Sequence, residues 1–401
     1  MHRGALSHLR VVDLTHHIAG PYCTKLLADF GADVLKIERP GAGDPTRASG
    51  PFAGDTPDPE KSGRFLYFNT NKRGMTLNLK TATGREILER LVRDADILVE
   101  NFRPGVLPSL GLDYETLAII NPRLVVTSIS NFGQTGPYRD YRATEIVADA
   151  MGGWMYGLGV PEREPIKPPG VQAQLVAGVF GLLGTLSAVH ARALTDRGQH
   201  VDVSIQEAVL WIQMNITTTY SYSGGIWKRH GGHSTMNHPQ GLFECKDGII
   251  GVNVLYYVEW DRFAEFVGHP EWLQDPRFAT PVLRAQNRAA MDEILKPWLL
   301  ERTRQELFES AQRAKIPFAL VNEPADLVAS PQLQARGFWE NVEHPVAGTV
   351  TMPGAPFKLS ETPWTLRRPA PRLGEHAEEV LVDQLGYTND EVLRLRERGV
   401  I

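Results

Sequence analysis

Four short apolar runs, Leu9–Leu14, Val34–Ile37, Ile97–Val99 and Leu124–Ile129, are separated by segments whose apolar residues recur at helical spacing. Strands alternating with helices call for parallel strands joined by helical crossovers, so the first half reads as an α/β layer structure with an open, Rossmann-like parallel sheet. Between the first two runs, Cys23, Leu26, Leu27 and Phe30 fall at i, i+3, i+4 and i+7. One helical stripe can therefore pack on the sheet before Gly31 ends the helix. Ile87, Leu88, Leu91 and Val92 repeat the device before the third run. Gly41 to Gly63 is rich in Gly, Pro and Asp and lacks periodicity, which predicts a long loop of the kind that often carries function. Leu175 to Val189 is apolar for fifteen residues but interrupted by Gly178, Gly181 and Gly184. That is shorter than the roughly 20 residues needed to cross a bilayer. A buried helix is expected instead, its small residues admitting another backbone at close range. Gln199–Ile205 and a helical run through Trp211 follow.

Composition shifts near Ser221. The polar, glycine-rich SYSGGIWKRHGGHSTMNHPQG leads into Leu242–Cys245 and Ile249–Val252 flanking Lys-Asp-Gly, a predicted hairpin. From Val258 to about Ala325 the pattern is helical, with Trp260, Phe263 and Phe266 on one face, a spacing that signals core. The expected organisation is a large α/β domain over 1–221, a small α+β domain over 222–325, and a return to the large domain over 326–401. In that last part a strand pair is expected around Gly348–Leu359, then a Pro-rich crossing and a closing helix.

A net charge of -5 supplies no basic field for nucleic acid or an anionic membrane, so any anionic ligand must be held locally. Cys23 and Cys245 are the only cysteines, which argues against a disulfide framework and points to a reducing, cytoplasmic setting. MHRGALSHLR has no apolar signal core. The sequence contains no Walker loop, dinucleotide glycine fingerprint, Gly-x-Ser-x-Gly elbow or His-Glu-x-x-His. His16 and His17 are adjacent at a strand end and point in opposite directions, which argues against a shared metal.

Several segments in order carry more information. They are RVVDLTHHIAGPYCTKLLADFGADVLKIERPGAGDPTR, FNTNKRGMTLNLKT, ENFRPG, SISNFGQTGPYRDYRATEIVADAMGG, RGQHVDVSIQEA and the closing LGEHAEEVLVDQLGYTNDEVLRLRERGVI. Together they resemble the CaiB/BaiF, or class III, CoA-transferases across nearly the whole chain. The resemblance implies a large domain made of both chain ends, a small domain, and two subunits threaded through each other as an interlocked dimer. It implies a CoA thioester as substrate, with no permanently bound cofactor and no metal. Carried residue by residue, it places the CoA site at His16, Ala19, Arg39, Asn71, Lys72, Asn101, Phe102 and Arg142. Such a site needs cations for phosphates and an apolar groove for the pantetheine arm.

One position departs from the family pattern. Where a Gly-x-x-x-Asp-Leu-x-x-Gly-like stretch supplies the carboxylate that attacks acyl-CoA, this chain reads PPGVQAQLVAG, with Leu175, Val176, Ala177 and Gly178 fixing the register and Gln174 in the nucleophile's place. An uncharged amide is a poor nucleophile toward a thioester. No Asp or Glu occurs from Pro165 to Thr195, so a small shift in register restores nothing. The family's racemase branch uses a His and an Asp for proton exchange, and here Thr144 and Glu145 stand at the first of those places. Glu145 and Asp149, spaced i to i+4 on one helix face, offer an alternative carboxylate.

The resemblance therefore implies the non-catalytic subunit of a hetero-oligomeric CoA-transferase whose paralogous partner brings the aspartate. A two-gene enzyme moving CoA from succinyl-CoA to a substituted succinate, as in anaerobic aromatic degradation, is the specific expectation; a homodimer is the other assembly. The competing readings are a competent transferase or CoA-thioester hydrolase working through Glu145 or water, and an acyl-CoA binding protein without turnover.

Overall fold

The computed structural model describes residues 4–255 and 257–401. Six strands form one parallel sheet: β1 (Arg10–Asp13), β2 (Asp33–Glu38), β3 (Arg73–Thr76), β4 (Ile97–Glu100), β5 (Val125–Ser130) and β6 (His200–Ser204). Their order is β3-β2-β1-β4-β5-β6, so the chain winds outward from β1 on one side and then returns to lay β4 against its other side. A sheet wound this way opens a crevice between β1 and β4, beyond the carboxyl ends of the strands.

Successive side chains on a strand face opposite ways, and both faces are apolar here. Val12, Leu14, Leu35, Ile37, Leu98 and Val126 share one core with helix α3 (Ala82–Arg93) and with C-terminal residues including Val380, Leu381, Val392 and Leu395. Val11, Val34, Ile97, Val99 and Val125 share the other with α1 (Ala19–Asp29) and α5 (Gln172–Thr195). The four apolar runs became β1, β2, β4 and β5. β3 was not foreseen, because Arg-Gly-Met-Thr is short and carries one large apolar residue. The loop over 41–63 holds two short 3-10 turns, and α2 (Gly63–Phe68) follows, capped by the Ser62 hydroxyl.

The glycine helix α5 is longer than its apolar stretch, at 24 residues, and is long and apolar enough to cross a bilayer by length and composition alone. Its glycines do pack closely: a Cβ at Gly178 would lie 2.7 Å from the Ala19 carbonyl oxygen, and one at Gly181 2.8 Å from Ile129. Burial is one-sided, however. Val179, Leu183 and Leu194 stay exposed on the opposite face, where a buried helix was expected.

The chain divides into two compact units, residues 1–154 with 167–214 and 334–401, and residues 155–166 with 215–333. The second unit is wider than the 222–325 read from composition. In it, β7 (Gln240–Cys245), β8 (Gly248–Asn253) and β9 (Phe318–Leu320) form an antiparallel sheet, with the Lys246–Asp247 turn where the hairpin was predicted. Trp260 and Phe263 lie in its core, and Phe266 packs against that core through Trp298 and Phe318. In the first unit, β10 (Trp339–His344) pairs with β11 (Gly348–Pro353). The pair thus precedes the expected 348–359 position, because the polar Asn341 and Glu343 on its exposed face hid the first strand.

Candidate active site

A cleft of about 1020 Å³ opens at the carboxyl ends of the strands, within the first unit. His17, Ile18 and Ala19 reach it from the β1–α1 junction, Asn101 to Val106 from the loop after β4, and Ser130 and Asn131 from the end of β5. Arg139 to Glu145, Val171 and Gln174 close another side, while Thr46, Ser49 and Arg64 come from the long loop and α2. Two helices, α1 and α5, begin at this cleft, and their unpaired N–H groups and dipoles favour an anion there.

The loops after β1 and β4 are locked together. The His16 N–H donates to Asn101 Oδ1 at 2.8 Å, and Asn101 Nδ2 donates to the His16 carbonyl at 2.7 Å. The His16 ring packs on Phe102, with centroids 5.7 Å apart. Burial, aided by the Lys36 ammonium, pushes the imidazole down to about 4, so His16 is neutral at physiological pH and is not a phosphate-binding cation. The Phe102 N–H donates to Glu100 Oε2 at 2.7 Å, and burial pushes that carboxyl up to about 7.

Cations dominate the walls. Arg64, Arg103, Arg139 and Arg142 all line the cleft, and only Asp140 and Glu145 oppose them there. Arg139 pairs with Asp140 at 3.3 Å. The side chains of Arg64, Arg103 and Arg142 have no hydrogen-bond or ion-pair partner among the described residues. Free guanidinium groups converging on one cleft suit a polyanion.

Glu145 opens α4 (Glu145–Met151) and is already engaged. Its Oε1 accepts the Ala173 N–H at 2.8 Å and its Oε2 accepts from Gln174 Nε2 at 3.3 Å. The carboxylate thus acts as a borrowed cap for α5, whose own N-cap, Val171, has no side chain able to do so. Thr144, the N-cap of α4, lines the cleft without capping through its side chain. One turn further on, Asp149 is buried and neither of its oxygens has a hydrogen-bond partner; Lys167 Nζ lies 3.9 Å away. Burial, with the charge of Glu145, raises the Asp149 pKa.

Of the positions carried from the resemblance, Ala19, Asn101, Phe102, Arg142, Glu145 and Gln174 meet in this cleft, with His16 just behind it. Three others do not. Arg39 is exposed and away from the lining. The Lys72 ammonium is buried and bonded to Asp13, the Pro21 carbonyl, Thr24 and Asn69, so it cannot reach a phosphate. Asn71 is held in the left-handed region (φ 64°) and spans from Asp29 to the backbone of Thr365, Arg367 and Arg368. Conversely, Arg64, Arg103 and Arg139 were not singled out from sequence. Arg103 and Arg139 lie inside the quoted ENFRPG and GPYRDYR, and attention to every cation in those segments would have found them. Arg64 had no such signal.

The family model described as CoA-transferase family III matches residues 6–377. The chain belongs to this family. Three similar CoA-transferases span nearly its whole length. Succinyl-CoA--D-citramalate CoA-transferase of Chloroflexus aurantiacus is 35% identical, covering 99% of this chain and 98% of its own. Succinyl-CoA--L-malate CoA-transferase beta subunit, from the same organism, is 36% identical over the same shares. Succinyl-CoA:(R)-benzylsuccinate CoA-transferase subunit BbsE of Thauera aromatica is 35% identical over 98% of each chain. Among solved structures, a CaiB/BaiF family protein from Brucella suis superposes with a TM-score of 0.85 at 32% identity, covering 95% of this chain and 99% of its own. CoA thioesters are the substrates of such transferases, and an arginine-rich cleft at the sheet's switch point is a fitting place for one.

Proposed function

We propose that this chain is the non-catalytic subunit of a hetero-oligomeric CoA-transferase that takes CoA from succinyl-CoA to a carboxylic acid, with a paralogous, aspartate-bearing subunit performing the covalent chemistry in the cytoplasm. The observation that carries this reading is the state of Gln174. It faces the cleft as a neutral amide hydrogen-bonded to Glu145, in a stretch without any carboxylate. The acid nearest to it is already committed to the start of α5, which disfavours its use as a nucleophile. Two of the similar transferases are themselves named as subunits. The exposed apolar face of α5, together with exposed Trp211 and Met214, is the surface on which we place a second, interlocking chain.

A second reading rests on the same pair. Glu145 is a cleft carboxylate beside an amide that can orient water, which is the minimum for thioester hydrolysis. CoA exchange between succinyl-CoA and candidate acids separates these readings, using the chain alone, its paralogue alone and the two co-expressed. Exchange only when the paralogue is present supports the subunit role; exchange or CoA release by this chain alone overturns it. Tight acyl-CoA binding with no turnover in any combination would instead favour a binding protein.

A further inference from the structure

Tyr22, on α1, is the shared neighbour of two helices that open onto the cleft. A Cβ at Gly178 of α5 would stand 3.1 Å from its ring, and the same ring meets Phe68 of α2 edge-on with centroids 6.0 Å apart. Gln174 precedes Gly178 by four residues and Arg64 precedes Phe68 by four, so each stands one turn, about 5.4 Å, closer to the cleft on the face that touches Tyr22. Helical side chains lean toward the N-terminus, and both residues line the cleft. Arg64 is therefore aimed from the neighbouring helix at the region in front of Gln174. The other unpaired arginines, Arg103 and Arg142, enter on different loops, beside Asn101–Phe102 and at the start of α4.

We infer that Arg64 receives the free carboxylate of a dicarboxylic acyl group, so that this cleft prefers a dicarboxylic mono-CoA thioester to a monocarboxylic one. The inference rests on the reading of the cleft as an acyl-CoA site. A guanidinium offers two parallel N–H donors to a carboxylate, and this one has no internal counter-ion among the described residues. An alkyl terminus of similar length would displace its water and return nothing, so the arginine separates the two classes by what the wrong ligand leaves unpaired.

Equilibrium binding of CoA, butyryl-CoA and succinyl-CoA to the full-length protein tests this, with Arg64→Gln and Arg64→Lys measured alongside. Succinyl-CoA is expected to bind about tenfold more tightly than butyryl-CoA. Arg64→Gln should erase that difference by lowering succinyl-CoA affinity far more than that of butyryl-CoA or CoA, with an unchanged melting temperature showing that the variant is folded; Arg64→Lys should keep part of it. Equal affinity of the unmodified protein for the two thioesters overturns this inference and leaves the cleft reading intact. An equal loss of all three ligands in Arg64→Gln also overturns it, because the arginine then holds CoA itself. If the unmodified protein binds none of the three, the cleft reading fails first and takes this inference with it.

Discussion

Two charged regions of the large unit use the same residue types to opposite ends. Beneath the cleft, around β1 and β2, the buried cations are answered: Lys72 by Asp13 at 2.9 Å, Lys36 by Asp44 at 3.0 Å, and Arg47 by Glu38 at 2.7 Å and Glu60 at 2.8 Å. In the cleft, Arg64, Arg103 and Arg142 are unanswered. A charge removed from water must be paired, whereas one left in a solvated cleft can await a ligand. Partnership, more than residue type, separates the framework from the binding surface.

The comparison breaks most visibly at Lys72. Lys72→Met should cost about 3–5 kcal/mol of stability by leaving Asp13 buried and unpaired, while protein that remains folded binds CoA as before. Unchanged denaturant unfolding with lost CoA affinity would place Lys72 in the ligand site after all. Acid provides a second test of the same buried cluster. Burial alone would raise the Asp13 pKa, but Lys72, Lys36 and the hydroxyls of Thr15 and Thr24 outweigh it and hold it at about 2, below its ordinary 3.8. Its contribution is present above about pH 4 and disappears as pH falls toward 2, a loss of roughly 2 kcal/mol. Glu100 has the opposite sign: raised from 4.5 to about 7, it favours the fold at low pH and loses that effect as pH climbs through this window. Urea titrations from pH 2 to 8 should show stability gained on the acid side of pH 4 and partly given back toward pH 7.

In the cleft the smaller effects should appear in binding. Arg142→Ala and Arg103→Ala are each expected to weaken CoA about tenfold without moving the melting temperature, measurable by calorimetric titration. Arg39→Ala, at an exposed site off the lining, should change neither quantity by more than about 0.5 kcal/mol.

Where the sequence was legible, the signal was local. Short apolar runs and helical stripes located β1, β2, β4, β5, α1 and α3, because those residues are buried for reasons visible within a few positions. β3 was opaque since its burial comes from β2 and the C-terminal segment: Arg73 pairs with Asp33 and with Glu379, far away in the chain. The Asn-Lys-Arg loop misled in the same way. Its polarity reads as surface, and the distant Asp13 and Asp29 make Asn71 and Lys72 internal. Gln174 and Glu145 were each noticed, but the hydrogen bond between them joins elements 29 residues apart and belongs to the tertiary fold.

The most direct test of the central claim is the intact mass of this chain after incubation with succinyl-CoA, since a nucleophile at the Gln174 position, or Glu145 in its stead, would carry an acyl or CoA adduct. An unmodified mass for this chain, with the adduct found only on an aspartate-bearing partner, is the expected result. A stoichiometric adduct on this chain, mapped to Glu145, would contradict it.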